Sequence, residues 1–204
     1  EVRVIEPSAS SLRFGALYVP KPTMLNRNSV SFEHQHAVVN LLSRLVPDGL
    51  PSTCGERAGA DSRPIKLYLS RSRLSPAYRR MLGEHDVEQL LLEKGWKILH
   101  PEQHSLAEQL NALMCAEVIA GSLGSAFHLL MYFSPECVRA KKIRCFGHSR
   151  IHFTNYLLQY EMQNLAFEYA LCLEEADDNG KPSINADYVL SGCSVSDLVS
   201  WLDS

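Results

Sequence analysis

A regular alternation of short apolar runs and amphipathic segments between residues 65 and 146 constrains the fold of this chain more than any other feature. Four runs have the length and composition of buried strands, and segments with helical spacing separate them. The predicted strands are Ile65–Ser70, Trp96–His100, Glu117–Ala120 and Lys142–Phe146. This βαβαβαβ order predicts an α/β fold, a Rossmann-like parallel sheet with helices on both faces.

The helices between these strands carry recognisable end signals. The helix predicted at Glu84–Lys94 is followed by Gly95, which suits the left-handed residue after a helix end. The helix predicted at Ser105–Cys115 begins with Ser105 and Glu108 at the spacing of a capping box. A third helix is predicted to begin at Ser125, with this serine as its N-cap.

The flanking regions follow other patterns. Upstream, the sequence predicts the strand Arg13–Val19, the helix Phe32–Val46 and a loop rich in Gly and Pro over 48–64. Downstream, it predicts the helix Thr154–Leu165, two strands (Phe167–Glu174 and Asp187–Leu190) joined through Asn179-Gly180 as a hairpin, and the helix Ser194–Leu202 with a serine cap.

The composition excludes several classes of protein. With 204 residues, of which 46% are apolar and 21% charged, the chain is typical of globular proteins. A net charge of −3 argues against nucleic acid as the main partner, because nucleic-acid binding needs a broad basic surface. No apolar run approaches the roughly 20 residues that span a bilayer. Because Glu1 stands where an initiator Met would be, we expect this chain to be a piece of a longer protein.

The cysteines and histidines show no metal-binding pattern. The six cysteines include no CxxC pair, and the eight histidines include no HExxH spacing. Cys115, Cys145 and Cys172 lie inside apolar runs. We therefore expect buried thiols in a reducing compartment, with neither a disulfide framework nor a metal site.

A glycine turn follows the third predicted strand. Gly121 and Gly124 lie between that strand and the helix from Ser125, and such a turn presents free N–H groups at the positive end of a helix dipole. This arrangement suits a phosphate, with Ser122, Ser125 and the backbone of Ala126 lining the turn. His128, one turn into the helix, could approach a bound anion, although a lone histidine in an apolar helix is more often a core or boundary residue.

Charged residues follow the first two predicted strands. Arg71 and Arg73 end the first strand, and Arg79 and Arg80 come shortly after. Arginines at this edge can pair with a diphosphate through their parallel N–H donors, and a solvated loop rich in Arg is the alternative. Glu102 ends the second strand after a proline, where its carboxylate could accept hydrogen bonds from a ribose or sugar hydroxyl. A surface carboxylate is the alternative there.

The chain resembles the carboxyl half of glycosyltransferase family 61, the group that contains bacterial capsular-polysaccharide transferases. The segments that carry the resemblance are KLYLSRSR (Lys66–Arg73), YRRMLGEHDVEQLLLEKGW (Tyr78–Trp96) and LHPEQHSLAEQLNALMCAEVIAGSLGSAFHLLMYF (Leu99–Phe133). ALYVP (Ala16–Pro20) is similar to the segment that precedes this module in the family. The order and spacing of these motifs are more specific than any one of them.

The resemblance implies the C-terminal lobe of a two-lobed GT-B glycosyltransferase. Residues 65–204 would bind a nucleotide-sugar donor, and residues 1–64 would be a remnant of, or a connection to, a missing amino lobe. The implied reaction transfers the sugar to a glycan or lipid-linked acceptor in polysaccharide biosynthesis, with inversion and without a cofactor or an essential metal. The implied location is cytoplasmic, with peripheral association at the inner face of the membrane. The matching residues are Arg71, Arg80, Glu84, Glu102, Gln109, Gly121, Gly124, Ser125 and Ala126.

Two positions depart from the family pattern, and two other functions stay open. Gly83 takes the place of the usual Asn, and Leu123 takes the place of a frequent histidine. One alternative is a non-catalytic Rossmann-like module that serves as a scaffold or partner domain of a polysaccharide assembly machine. Another is a different nucleotide enzyme on the same fold. A dinucleotide oxidoreductase is disfavoured, because no GxGxxG follows the first strand. The sequence identifies no catalytic base.

Overall fold

A computed structural model of the chain describes residues 24–25, 29–30, 64–133, 135–148, 167–176 and 186–204. Strands β1 (Met24–Leu25) and β2 (Ser29–Val30) pair as a short antiparallel ribbon. The strand predicted at 13–19, the helices predicted at 32–46 and 154–165 and the turn predicted at 179–180 lie outside the described residues.

Six strands form the main sheet. They are β3 (Lys66–Leu69), β4 (Lys97–Leu99), β5 (Val118–Ser122), β6 (Lys142–His148), β7 (Phe167–Glu175) and β8 (Tyr188–Leu190). Their order in space is β4-β3-β5-β6-β7-β8, and all neighbours are parallel except the antiparallel pair β7 and β8. The four parallel strands predicted between residues 65 and 146 are confirmed, and so is the antiparallel pair predicted in the tail.

Helices cover both faces of this sheet, as the alternation predicted. The helices α1 (Glu84–Glu93) and α4 (Val195–Asp203) pack on one face. The helix α2 (Leu106–Cys115), a 3₁₀ helix (Ser125–Tyr132) and the helix α3 (Pro135–Arg139) cover the other. Together with the mostly parallel sheet, this arrangement confirms the α/β, Rossmann-like fold class.

The chain reverses its direction across the sheet at β3. β4 is added on one side of β3, and β5 is added on the other. The crevice beyond the carboxyl ends of β3 and β5 is therefore a topological switch point, where ligands bind in open α/β sheets.

The two faces of the sheet differ in the polarity of their cores. The face under α2, which we call the apolar face, buries the strand residues Leu67, Leu69, Ile119, Ile143 and Cys145 against Leu110, Leu113, Phe127, Leu130 and Phe133. The face under α1 and α4, which we call the polar face, also has an apolar core, which includes Tyr68, Val87, Leu91, Phe146 and Leu202. It also buries the two carboxylates Glu84 and Glu88 together with Arg144, whereas the charged side chain buried beside the apolar face is Lys141.

Three of the predicted helix-boundary signals are confirmed, at the starts of α2 and α4 and at the end of α1. Ser105 and Glu108 form a capping box at α2, and Ser194 and Asp197 form a second one at α4. Gly95 follows the end of α1 with a φ of 79°, which L side chains rarely adopt. None of the helices in the described ranges combines the length and the apolar character that crossing a bilayer requires.

Candidate functional site

A cleft of about 320 Å³ opens beyond the carboxyl ends of β3 and β5, at the switch point of the sheet. This volume is at the lower end of the range for small-molecule sites. Seven of the ten residues predicted for donor binding line it: Arg71, Glu102, Gln109, Ser122, Gly124, Ser125 and Ala126. Apolar walls come from Leu69, Leu74, Pro101, Phe127 and Leu129. The structure thus brings together residues from three loops, each of which follows a different strand.

The glycine turn is shorter than the sequence predicted. Gly121 is not in the turn but inside β5, where it pairs with Leu69 and Cys145. An ideal Cβ at Gly121 would lie 2.6 Å from the carbonyl oxygen of Leu69, so no side chain fits there. Glycine in a strand commonly marks such a close backbone approach, and the sequence alone does not distinguish it from a turn glycine.

The helix after the turn also differs from its prediction. It is a 3₁₀ helix, its N-cap is Gly124, and Ser125 is its first residue, so the prediction of Ser125 as the N-cap was wrong. No side chain caps this helix end. Within the described residues, the N–H groups of Gly124, Ser125 and Ala126 donate to no protein acceptor. They are the orphan donors of a helix start, and all three residues line the cleft.

Arg71 lies directly against this turn. Its Nη1 occupies the space that a Cβ at Gly124 would take, so a side chain at this position would displace the guanidinium. Its Nη2 donates to the carbonyl oxygen of Arg79 at 3.0 Å. Among the described residues, no carboxylate lies within 4.0 Å of the Arg71 guanidinium. The positive charge of Arg71, which forms no ion pair in the described part of the chain, therefore faces the same cleft as the orphan N–H groups.

The other arginines of this region serve different contacts. Arg80, which was predicted to bind donor, forms an ion pair with Asp187 at 3.1 Å and does not line the cleft. It lines a separate, smaller cavity of about 210 Å³ instead. Arg79 lies over the ring of Tyr188, and Arg73 donates to Gln103 Oε1 at 3.1 Å. Of the four arginines, only Arg71 meets the glycine turn.

Glu84 is buried beneath the Arg71 backbone. Its side chain is at the core face of α1 and is 1% exposed, while its two oxygens accept the Arg71 N–H at 3.1 and 3.2 Å. The Tyr68 hydroxyl donates to the same carboxyl at 3.0 Å. Burial raises the pKa of Glu84 to about 7, although both hydrogen bonds act in the opposite direction.

Gly83 accounts for one of the two departures from the family pattern. It has a φ of 80° and a ψ of 8°, in the left-handed region. Gly enters this region without strain, and Asn enters it more readily than most other residues. Gly in place of Asn at this position thus preserves the backbone conformation that begins α1, with Glu84 facing the core.

Glu88, one helical turn after Glu84, was not predicted as part of the site. It is 5% exposed, and its Oε1 accepts hydrogen bonds from the hydroxyl groups of Ser70 and Ser72, the latter at 2.6 Å. Burial opposes ionisation of Glu88, but the hydrogen bonds from Ser70 and Ser72, with smaller contributions from His100 and His85, together lower its pKa below the ordinary value. Glu88 therefore stays charged at neutral pH.

The far rim of the cleft is formed by the 3₁₀ turn Pro101–Gln103 after β4. Gln109 holds this turn, because its Nε2 donates to the carbonyl oxygens of Pro101 at 2.8 Å and His104 at 2.9 Å. In the described ranges no donor binds its side-chain oxygen. Glu102 is exposed on this rim. Both residues thus line the side of the cleft that follows β4, whereas the glycine turn follows β5, on the other side of β3.

The remaining predictions for the site concern His128 and metal binding. His128 is half-buried in the 3₁₀ helix and does not line the cleft. Within the described part of the chain, no group of three His, Cys, Asp or Glu side chains is arranged to hold a metal ion.

A sequence signal for the buried carboxylates did exist. Glu84, Val87, Glu88 and Leu91 follow helical spacing, so two carboxylates share the face of α1 that packs on the sheet. Carboxylates on a core face need partners, and the hydroxyl groups of SRS at 70–72 are the polar side chains that meet Glu88.

Comparison with known proteins adds one match. The sequence model of the family described as Glycosyltransferase 61 matches residues 7–139, well over half of the chain. No curated protein matches the chain.

Proposed function

Because this chain belongs to glycosyltransferase family 61, we propose that the cleft binds a nucleotide-sugar donor, and that the sugar is transferred to a glycan or lipid-linked acceptor. The observation that carries this proposal is the position of Arg71 against Gly124. Arg71 and three backbone N–H groups line one wall of the cleft, and among the described residues no carboxylate forms an ion pair with this arginine and no acceptor binds these N–H groups. This combination suits the diphosphate of a donor.

The same groups suit the chemistry of the transfer. When the bond between sugar and diphosphate breaks, negative charge develops on the leaving diphosphate. Preorganised donors that face this charge stabilise the transition state more than the bound donor. Arg71 and the N–H groups of Gly124, Ser125 and Ala126 would supply this stabilisation. They need no covalent intermediate, which accords with an inverting transfer without a cofactor or an essential metal.

The opposite rim suits the hydroxyl groups of the donor. Glu102 is exposed there as an acceptor, and the Oε1 atom of Gln109 is a second one. Ribose and sugar hydroxyl groups donate to such oxygens. On this proposal an amino lobe completes the enzyme and supplies the acceptor site and the general base. The polysaccharide would be of the capsular type, assembled at the inner face of the membrane.

Binding of labelled UDP, GDP, ADP, CDP and dTDP to the purified chain tests the proposal. Arg71→Ala removes a hydrogen-bonding cation, and we expect the preferred nucleotide to bind roughly 10 to 100 times more weakly. Gly124→Val should weaken binding similarly, because the valine side chain occupies the space of the Arg71 guanidinium. Arg139→Ala is the matched control, since Arg139 is exposed at the end of α3.

The outcomes separate the proposal from its alternatives. Loss of binding in Arg71→Ala and Gly124→Val, with Arg139→Ala unchanged, supports a donor site at the turn. Equal binding by all four proteins would remove the site from this cleft. If the chain binds none of the five nucleotides, the non-catalytic scaffold module becomes the better description.

A further inference from the structure

The turn that carries Arg71 is closed by side chains. The Ser70 hydroxyl accepts the N–H of Ser72 at 3.0 Å, which is the local bond of a serine turn. Both hydroxyl groups then donate to one atom, Oε1 of Glu88. Ser70 is held to the sheet as well, because its N–H donates to the Leu99 carbonyl oxygen at 2.9 Å. Arg71 is the residue between the two serines.

Two hydroxyl donors that converge on one oxygen need an acceptor with two lone pairs. An ionised carboxylate oxygen accepts such bonds more strongly than the neutral oxygen of an amide does. The other Glu88 oxygen lies 3.4 Å from His85 Nδ1, and His100 Nδ1 lies 4.0 Å from Oε1. Glu88 is thus the shared acceptor of the two serines that flank Arg71. Its carboxylate is buried and does not line the cleft.

We infer that Glu88 is a positioning residue for the diphosphate site, which acts through Ser70 and Ser72 to hold Arg71 against Gly124. This inference rests on the proposed donor site and adds a residue that touches no ligand. The direction of the Arg71 side chain depends on the turn geometry, since its guanidinium must reach both the Arg79 carbonyl oxygen and the glycine turn. When the turn relaxes, this alignment is lost while Arg71 itself remains.

Variants of the turn test this inference in the full chain. The probe is the nucleoside diphosphate, among UDP, GDP, ADP, CDP and dTDP, that the unaltered chain binds most tightly by titration calorimetry. We expect Glu88→Gln and Ser72→Ala each to weaken its binding about tenfold, as the loss of a hydrogen bond to a charged group does. Ser72→Thr keeps the hydroxyl group and should restore binding to within about twofold.

Two controls separate positioning from general destabilisation. Glu93→Gln makes the same exchange as Glu88→Gln at an exposed site of α1, and binding should not change. Ser194→Ala removes a helix cap far from the turn in sequence, so it should lower the melting temperature and leave the affinity unchanged. If Glu88→Gln fails to fold, Ser72→Ala and Ser72→Thr still decide the question, because Ser72 is only partly buried.

The possible results are distinguishable. Weak binding in Ser72→Ala with recovery in Ser72→Thr supports positioning by Glu88. Normal affinity in Ser72→Ala and Glu88→Gln, together with lost affinity in Arg71→Ala, overturns the inference and leaves the donor site in place. If the unaltered chain binds no diphosphate, the donor site fails and the inference fails with it.

Discussion

The two faces of the sheet bury similar amounts of apolar side chain and differ in what else they bury. Beside the apolar core, the buried charge is that of Lys141, whose Nζ donates to the carbonyl oxygens of Met114 and Ala116 at 2.6 Å. Lys141 comes just before β6 and does not line the cleft. The polar face buries Glu84, Glu88 and Arg144, and each has defined partners. Arg144, for example, donates to Glu168 at 3.0 Å and to the Leu202 carbonyl oxygen at 2.8 Å.

This difference shows how the fold divides its tasks. Buried charges seldom stabilise a protein more than apolar side chains of similar volume would, so their presence calls for another reason. On the polar face that reason is local: both glutamates bind the segment 70–72 that leads to the cleft. The apolar face contributes to stability. The polar face also contributes to stability, and in addition its glutamates hold the segment 70–72 in place. Three measurements test this difference between the two faces.

The largest expected effect is a loss of stability on the apolar face. Leu113 of α2 is fully buried, and Leu113→Ala should lower the free energy of unfolding by about 4 kcal/mol through lost burial and the cavity that remains. Urea denaturation measures it. Leu106→Ala is the control on the same helix, because Leu106 is 38% exposed, and it should cost less than about 1 kcal/mol. Equal losses in the two variants would contradict the packing role of this face.

Much of this architecture could be predicted from the sequence, because the signals are local. The strand runs between residues 65 and 146 depend on residues within a few positions of each other, and they are confirmed. The same holds for Gly95 and for the serine caps at Ser105 and Ser194, whereas the cap predicted at Ser125 is wrong. The clustering of residues at the cleft followed from one topological rule, that the carboxyl ends of parallel strands share an edge.

The incorrect predictions arose where contacts between residues far apart in the sequence determine the structure. Gly121 was predicted in the turn, but the approach of Leu69, more than 50 residues earlier, places it in a strand. Arg80 was grouped with Arg71, but Asp187, 107 residues away, binds it. The position of Glu88 beneath Ser70 and Ser72 likewise depends on how α1 packs on the sheet. No local pattern encodes these distances.

The second prediction concerns pH and the polar face. The pKa of Glu84 is about 7 in the folded chain against 4.5 for an ordinary glutamate, so the folded state binds more protons between these values. Stability from this group is therefore full below pH 4.5 and is lost as pH rises through 7. Relative to Glu84→Gln, the free energy of unfolding should fall by about 2 to 3 kcal/mol between pH 5 and pH 8.

Two further variants make this pH test specific. Leu113→Ala lowers stability on the apolar face without removing a titrating group, so its loss should be equal at pH 5 and pH 8. Glu93→Gln removes an exposed carboxyl on the same helix as Glu84 and should leave the pH dependence unchanged. A pH dependence in Glu84→Gln as steep as that of the unaltered chain would show that Glu84 is not the titrating group.

The third prediction concerns the capping box, a motif that begins a helix on each face of the sheet. α2 on the apolar face and α4 on the polar face both begin with a serine capping box. Ser105→Ala and Ser194→Ala should each lower the free energy of unfolding by about 1 kcal/mol, because each leaves a helix-start N–H without its acceptor. Ser105→Thr and Ser194→Thr keep the hydroxyl group and should retain most of the stability.

Only the Ser105 cap adjoins the cleft rim, where Gln109 donates to His104, so Ser105→Ala alone should also alter nucleotide affinity. Equal changes in affinity from both alanine variants would mean that the cleft responds to overall stability rather than to its own rim.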